Sequence, residues 1–134
     1  MKKVLILLLS ISMFTSCSDD DDSGSDDGTR IVGKWFLEAL QPIGGQNTLN
    51  SCNQNSYIVF NADGSGNSEF FEESGANCES EGESPGNWSF EGGNTYTFLV
   101  PSLGNTTGNV NFEGDNQFTF TSSELPGVEI IFVK

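Results

Sequence analysis

The chain has 134 residues, with nineteen Asp and Glu against five Lys and Arg, and no His. This length suits one small domain with a single core, and the formal net charge of -14 argues against nucleic acid as a partner. The absence of His removes the Ser-His-Asp and Cys-His catalytic pairs and the commonest transition-metal ligand.

The first residues have the pattern of a secretory signal. Two Lys residues precede an apolar run over residues 4–14, which is too short to span a bilayer. The run ends in Phe-Thr-Ser-Cys at residues 14–17, which resembles a bacterial lipobox, where small residues precede a lipidated Cys. We therefore predict a signal peptide at 1–16 and a lipid, palmitate included, on Cys17. An ordinary cleaved signal followed by an incidental Cys is the alternative.

An acidic segment follows the predicted lipid. Residues 17–29 contain six Asp together with Ser and Gly, a composition that cannot bury apolar surface, and we predict a disordered tether. The segment resembles the acidic export signals of surface-exposed lipoproteins in some gram-negative bacteria, and a simple solvated spacer explains it equally well. These features predict an exported protein, lipid-anchored to the outer membrane, with exposure on the cell surface left open.

Cys52 and Cys78 remain as an even pair in an exported domain. Oxidising compartments favour disulfides, so we predict a Cys52–Cys78 bond. A redox or metal role is the alternative, but the sequence has no Cys-x-x-Cys motif. No metal site and no cofactor are predicted.

Short segments of alternating apolar and polar residues recur along the rest of the chain, with turn residues between them. Eight such segments predict an all-β fold, an up-and-down antiparallel β-barrel, with a two-sheet sandwich as the alternative. A single short helical turn is expected near residues 46–50, and an acidic loop is expected through Cys78 to Ser84. The predicted strands are 31–40, 56–61, 65–72, 87–91, 95–100, 107–113, 117–122 and 128–133.

The period of two assigns one face of each strand to the interior. The side chains predicted to face inward are Trp35, Leu37, Ile58, Phe60, Trp88, Phe90, Tyr96, Phe98, Val110, Phe112, Phe118, Phe120, Ile130 and Phe132. Four large apolar residues fall out of phase and are expected to face outward, beneath a loop or on a partner surface: Phe36, Phe71, Leu99 and Ile131.

The sequence offers little for catalysis. Carboxylate pairs such as Glu79 and Glu81 could act as acid and base only in a geometry that the sequence does not reveal. No Ser-x-x-Lys motif occurs in the 134 residues, and no nucleophile elbow is predicted, because that motif needs a helix after the serine and no long helix is expected. We predict that the protein is not an enzyme.

The ordered motifs of residues 30–134 resemble the small bacterial lipocalin-like lipoproteins. Gly33-Lys34-Trp35 resembles the Gly-x-Trp that opens the first lipocalin strand, where the Trp closes one end of the barrel. The further matching segments are residues 31–35, Cys52, residues 57–66, Cys78, residues 86–90 and residues 116–120. The chain lacks the C-terminal helix of full lipocalins, which leaves the size of any ligand pocket open.

This resemblance implies a monomeric barrel whose mouth accepts a small apolar molecule, with Tyr57 or Tyr96 as polar contacts. The residues expected to touch such a ligand are Trp35, Tyr57, Phe60, Trp88, Tyr96, Phe98, Phe118 and Phe120. The alternative is a barrel filled by these aromatic side chains, which then acts as a protein-interaction or structural module.

Overall fold

The computed structural model describes residues 28–134; the predicted signal peptide, the lipidation site Cys17 and the acidic run lie outside the described residues. The described part is all-β, and its strands all pair antiparallel. The strands are β1 (Gly33–Pro42), β2 (Tyr57–Phe60), β3 (Ser65–Ser74), β4 (Asn77–Asn87), β5 (Ser89–Gly92), β6 (Thr95–Val100), β7 (Gly104–Phe112), β8 (Gln117–Ser122) and β9 (Leu125–Val133).

All nine strands belong to one sheet with the order β4-β3-β2-β1-β9-β8-β7-β6-β5. Neighbours in this order are neighbours in the chain, except that β9 returns to pair with β1. The sheet is not closed by hydrogen bonds, because its two terminal strands, β4 and β5, do not pair with each other. They are nevertheless consecutive, with only Trp88 between them.

The sheet curls around a core on one of its faces. Phe60 on β2 and Phe98 on β6 are far apart in the strand order, yet their ring centroids lie 5.0 Å apart. Phe98 also lies 6.3 Å from Phe132 of β9. Contacts between such distant strands require a rolled sheet, which is the barrel form that the alternation predicts.

The prediction of eight strands in a closed barrel is wrong in two respects. The segment predicted as an acidic loop, Cys78 to Ser84, lies within strand β4, which begins at Asn77 and forms a hairpin with β3. The chain then bends at Trp88, so that β4 pairs with β3 whereas β5 pairs with β6. The short helical turn is a 3-10 turn at Asn53–Asn55, later than the predicted 46–50.

The predicted disulfide is confirmed. Cys52 and Cys78 are bonded, with their Cα atoms 5.5 Å apart. Cys52 directly precedes the 3-10 turn and Cys78 lies near the tip of the β3–β4 hairpin. The bond therefore fastens the hairpin to the segment that leads into β2.

Candidate ligand-binding site

Aromatic side chains from four strands meet inside the rolled sheet. The Phe98 ring lies 5.0 Å from Phe60 and 4.6 Å from Phe120, and the Trp35 ring lies 4.7 Å from Phe118. Most of the predicted ligand-contacting side chains belong to this interior and are at most 1% exposed: Trp35, Phe60, Tyr96, Phe98, Phe118 and Phe120. The alternation of apolar and polar residues therefore predicts correctly that these six side chains share the interior.

The interior is tightly filled. A Cβ atom at Gly108 would approach the Phe120 ring to 2.8 Å, so the glycine makes room for that ring. Few polar residues are buried in the described part of the chain, and they are small: Ser56, Ser68 and Thr106. An environment of this kind favours apolar atoms and offers few hydrogen bonds to a guest.

One end of the barrel is closed by the segment before β1. Trp35 is fully buried there, and its indole Nε1 donates a 2.7 Å hydrogen bond to the carbonyl oxygen of Ile31. The Arg30 guanidinium lies 4.6 Å from the Phe112 ring centroid, and the Lys134 ammonium lies 4.8 Å from that of Trp35. Two cations thus cover the aromatic residues at this end.

The loop between β1 and β2 runs along the second half of β1. The Asn47 side chain accepts a hydrogen bond from the Leu40 amide, and the Thr48 amide donates one to the Leu40 carbonyl. Leu49 packs on the core, and Cys52 carries the disulfide. The loop is therefore held by strand β1, by the core and by the β3–β4 hairpin.

Tyr57 does not point into the barrel, contrary to its predicted role as a polar contact. Its hydroxyl donates to Glu69 at 2.7 Å and contacts Glu83 at 3.0 Å, and the Lys34 ammonium lies 4.0 Å from its ring centroid. Hydrogen bonds from Ser80 and Tyr57 hold the pKa of Glu69 below its usual value, while the bond to Glu69 raises the pKa of Tyr57. Tyr57 therefore fastens the β3–β4 hairpin to the outside of the sheet.

Trp88 lies at the bend between β4 and β5 and is only partly buried. Its indole Nε1 donates a 2.8 Å hydrogen bond to the Asn61 carbonyl, and its ring lies 5.7 Å from Phe60. A small cleft of about 10 Å³ lies beside it. Its lining combines interior rings with residues from β2, β3, β4 and β6: Ile58, Phe60, Asn67, Gly86, Phe98 and Leu99.

Asn67, Gly86 and Leu99 are not among the predicted ligand contacts. Asn67 has no distinguishing signal in the sequence, Gly86 belongs to the matching segment 86–90, and Leu99 is an apolar residue out of phase. Leu99 is covered by β4: a Cβ atom at Gly86 would lie 3.2 Å from its Cδ2 atom. An out-of-phase leucine was the one signal for this contact.

The carboxylate pair considered for acid and base roles lies on the β3–β4 hairpin. Glu79 and Glu81 are both exposed, and a hydrogen bond shared with Glu72 raises the pKa of Glu81. Within residues 28–134, no group of three or more acidic, Cys or His side chains is arranged to hold a metal ion.

A family model described as a lipocalin-like domain matches residues 31–127. No curated protein matches the chain. In the part of the chain that the structure describes, no helix has the length and apolar character needed to cross a membrane.

Proposed function

Because the chain belongs to the lipocalin-like domain family, we propose that it binds a small apolar molecule inside its barrel. The family is one whose fold suits the binding of small hydrophobic molecules. The observation that carries the proposal is the continuous aromatic interior, in which Phe60, Phe98 and Phe118 are each at most 1% exposed. Such a lining favours an aromatic or aliphatic guest through buried apolar area.

Binding requires the interior to open, because a cleft of about 10 Å³ holds no more than one water molecule. The guest would have to move side chains before it could replace their mutual contacts with its own. We therefore expect a compact ligand rather than a long acyl chain. Conversion of the ligand is not part of the proposal.

Native mass spectrometry tests this function. The purified protein, with its disulfide intact, is incubated with a lipid and metabolite extract, and a discrete additional mass is expected. The compound so identified should raise the melting temperature, since at 100 times Kd it would add about 2.7 kcal/mol to the free energy of unfolding. A bare protein mass across varied extracts would contradict the proposal.

A filled barrel that acts as a surface interaction module is the second candidate. The small volume of the cleft favours it, because close packing leaves the aromatic rings in contact with one another. A bare mass in the experiment above would support this candidate.

We also propose that the mature protein begins at Cys17 and is held in the outer membrane by lipid on that residue. The support is the signal pattern of residues 1–16, with its positive start, apolar run and small residues before the Cys. A lipid anchor would keep the binding domain in the cell envelope.

Replacing Cys17 with serine tests the anchor. The expected result is loss of labelled palmitate incorporation and loss of the processed form from the outer-membrane fraction. The matched control is Ser18→Ala, which should remain lipidated and fractionate like the natural protein. Unchanged palmitate incorporation in Cys17→Ser would contradict the proposal.

A further inference from the structure

Strands β4 and β6 lie side by side in the barrel without strand pairing. Strand β5 pairs with Thr95, Tyr96 and Thr97, and so covers only the first half of β6. The second half, Phe98–Val100, pairs with β7 on one side only. We name the gap between Phe98–Val100 of β6 and Pro85–Asn87 of β4 the seam.

The Leu99 side chain packs into the seam. A Cβ atom built at Gly86 would lie 3.2 Å from Cδ2 and 3.4 Å from Cβ of Leu99. Leu99 therefore packs directly on the backbone of β4, where a side chain at position 86 would compete with it for space. At the seam, β4 and β6 are held together by side-chain packing, whereas paired strands of the sheet are held together by backbone hydrogen bonds.

The seam leads to the interior. The cleft beside Leu99 is also lined by Ile58, Phe60 and Phe98, which belong to the buried core. Asn67 lines the same cleft, and its Oδ1 atom is buried without a hydrogen-bond partner. A buried acceptor without a partner carries a desolvation cost, which a hydrogen bond from a donor on a ligand would offset.

We infer that the barrel takes up its ligand through the seam, by displacement of Leu99 from Gly86, and that the ligand is a small aromatic molecule with one hydrogen-bond donor. The aromatic lining selects the ring, and Asn67 Oδ1 accepts from the donor. Trp35 and its covering cations close one end of the barrel. The inference rests on the proposed binding function and names its site.

A reversible lock tests the seam. In the double variant Gly86→Cys/Leu99→Cys, the Cβ atoms would lie about 3.4 Å apart, close to the usual spacing in a disulfide of about 3.8 Å. Indole is the probe, and its binding is followed by titration calorimetry. We expect at least a tenfold weaker affinity in the oxidised variant and recovery after reduction. The natural protein treated with the same reductant controls for loss of Cys52–Cys78.

Two further variants keep the test independent of the lock. Leu99→Ala should bind indole with a higher association rate and with at least the same affinity, because alanine fills less of the seam than leucine does. Asn67→Leu should lose the preference for indole over 1-methylindole, which lacks the N–H donor; we expect that preference to be about fivefold in the natural protein.

The outcomes separate the two proposals. Equal indole affinity in the natural protein and in the oxidised lock overturns the seam and leaves the binding function standing. Absence of indole binding in both the natural protein and Leu99→Ala overturns the seam site, whereas the extract experiment decides the binding function separately. Weaker indole binding in the oxidised Gly86→Cys/Leu99→Cys variant, with recovery of the affinity after reduction, supports uptake through the seam.

Discussion

Replacing Trp35 with alanine is expected to lower the free energy of unfolding by about 4 kcal/mol, as for other large aromatic residues removed from a core. Trp35 is 0% exposed, and its ring lies 4.7 Å from Phe118 and 6.2 Å from Phe112. Its removal also leaves the Ile31 carbonyl without the 2.7 Å hydrogen bond from the indole. Urea denaturation followed by circular dichroism measures the change.

Two variants show which part of Trp35 matters. Trp35→Phe keeps an aromatic ring but removes the indole donor, and should cost about 1–2 kcal/mol. Trp88→Ala is the matched control, because that indole is also hydrogen-bonded to a carbonyl but is only partly buried. A loss at Trp35 no greater than that at Trp88 would show that Trp35 does not organise the closed end.

The interior could be predicted from the sequence because it depends on a local property. Alternation along a strand fixes which side chains share a face, whatever the partner strand is. Tyr96, Phe98, Phe118, Phe120, Ile130 and Phe132 are all buried as this alternation predicts. The closing role that the resemblance implied for Trp35 also agrees with its place beside Ile31.

The β3–β4 hairpin could not be predicted because its residues have low strand propensity. Glu72 and Glu79 lie directly opposite each other, a pairing of like charges that is unfavourable by itself. Long-range contacts compensate: Ser56 Oγ accepts from the Phe71 amide, and Asn53 donates to the Phe71 carbonyl. These partners are distant in the chain, so local patterns do not reveal them.

The seam is a second feature that local sequence patterns do not predict. Alternation assigns Leu99 to the face opposite Phe98, which in an isolated sheet would be exposed. The roll of the sheet brings β4 against that face, so Gly86 covers Leu99. Tyr57 is a different case, because the resemblance suggested it as a ligand contact whereas alternation with Ile58 and Phe60 places it on the outer face, where it binds Glu69.

Removing the disulfide in the double variant Cys52→Ala/Cys78→Ala is expected to lower the free energy of unfolding by about 3.5 kcal/mol. The two residues are 26 positions apart. A cross-link closing a loop of that length removes chain entropy from the unfolded state, which gives this magnitude. Urea denaturation of the natural and variant proteins under non-reducing conditions measures it.

The loss should be concentrated in one part of the fold. Without the bond, the outer half of the β3–β4 hairpin keeps Tyr57 and Asn53 as partners but loses its covalent link. Hydrogen exchange should therefore rise first in Phe71–Ser80, while β6 to β8 remain protected until global unfolding. Reduced natural protein should behave like the double variant. Equal stability of the oxidised and reduced natural protein, with both thiols shown to be free, would contradict the prediction.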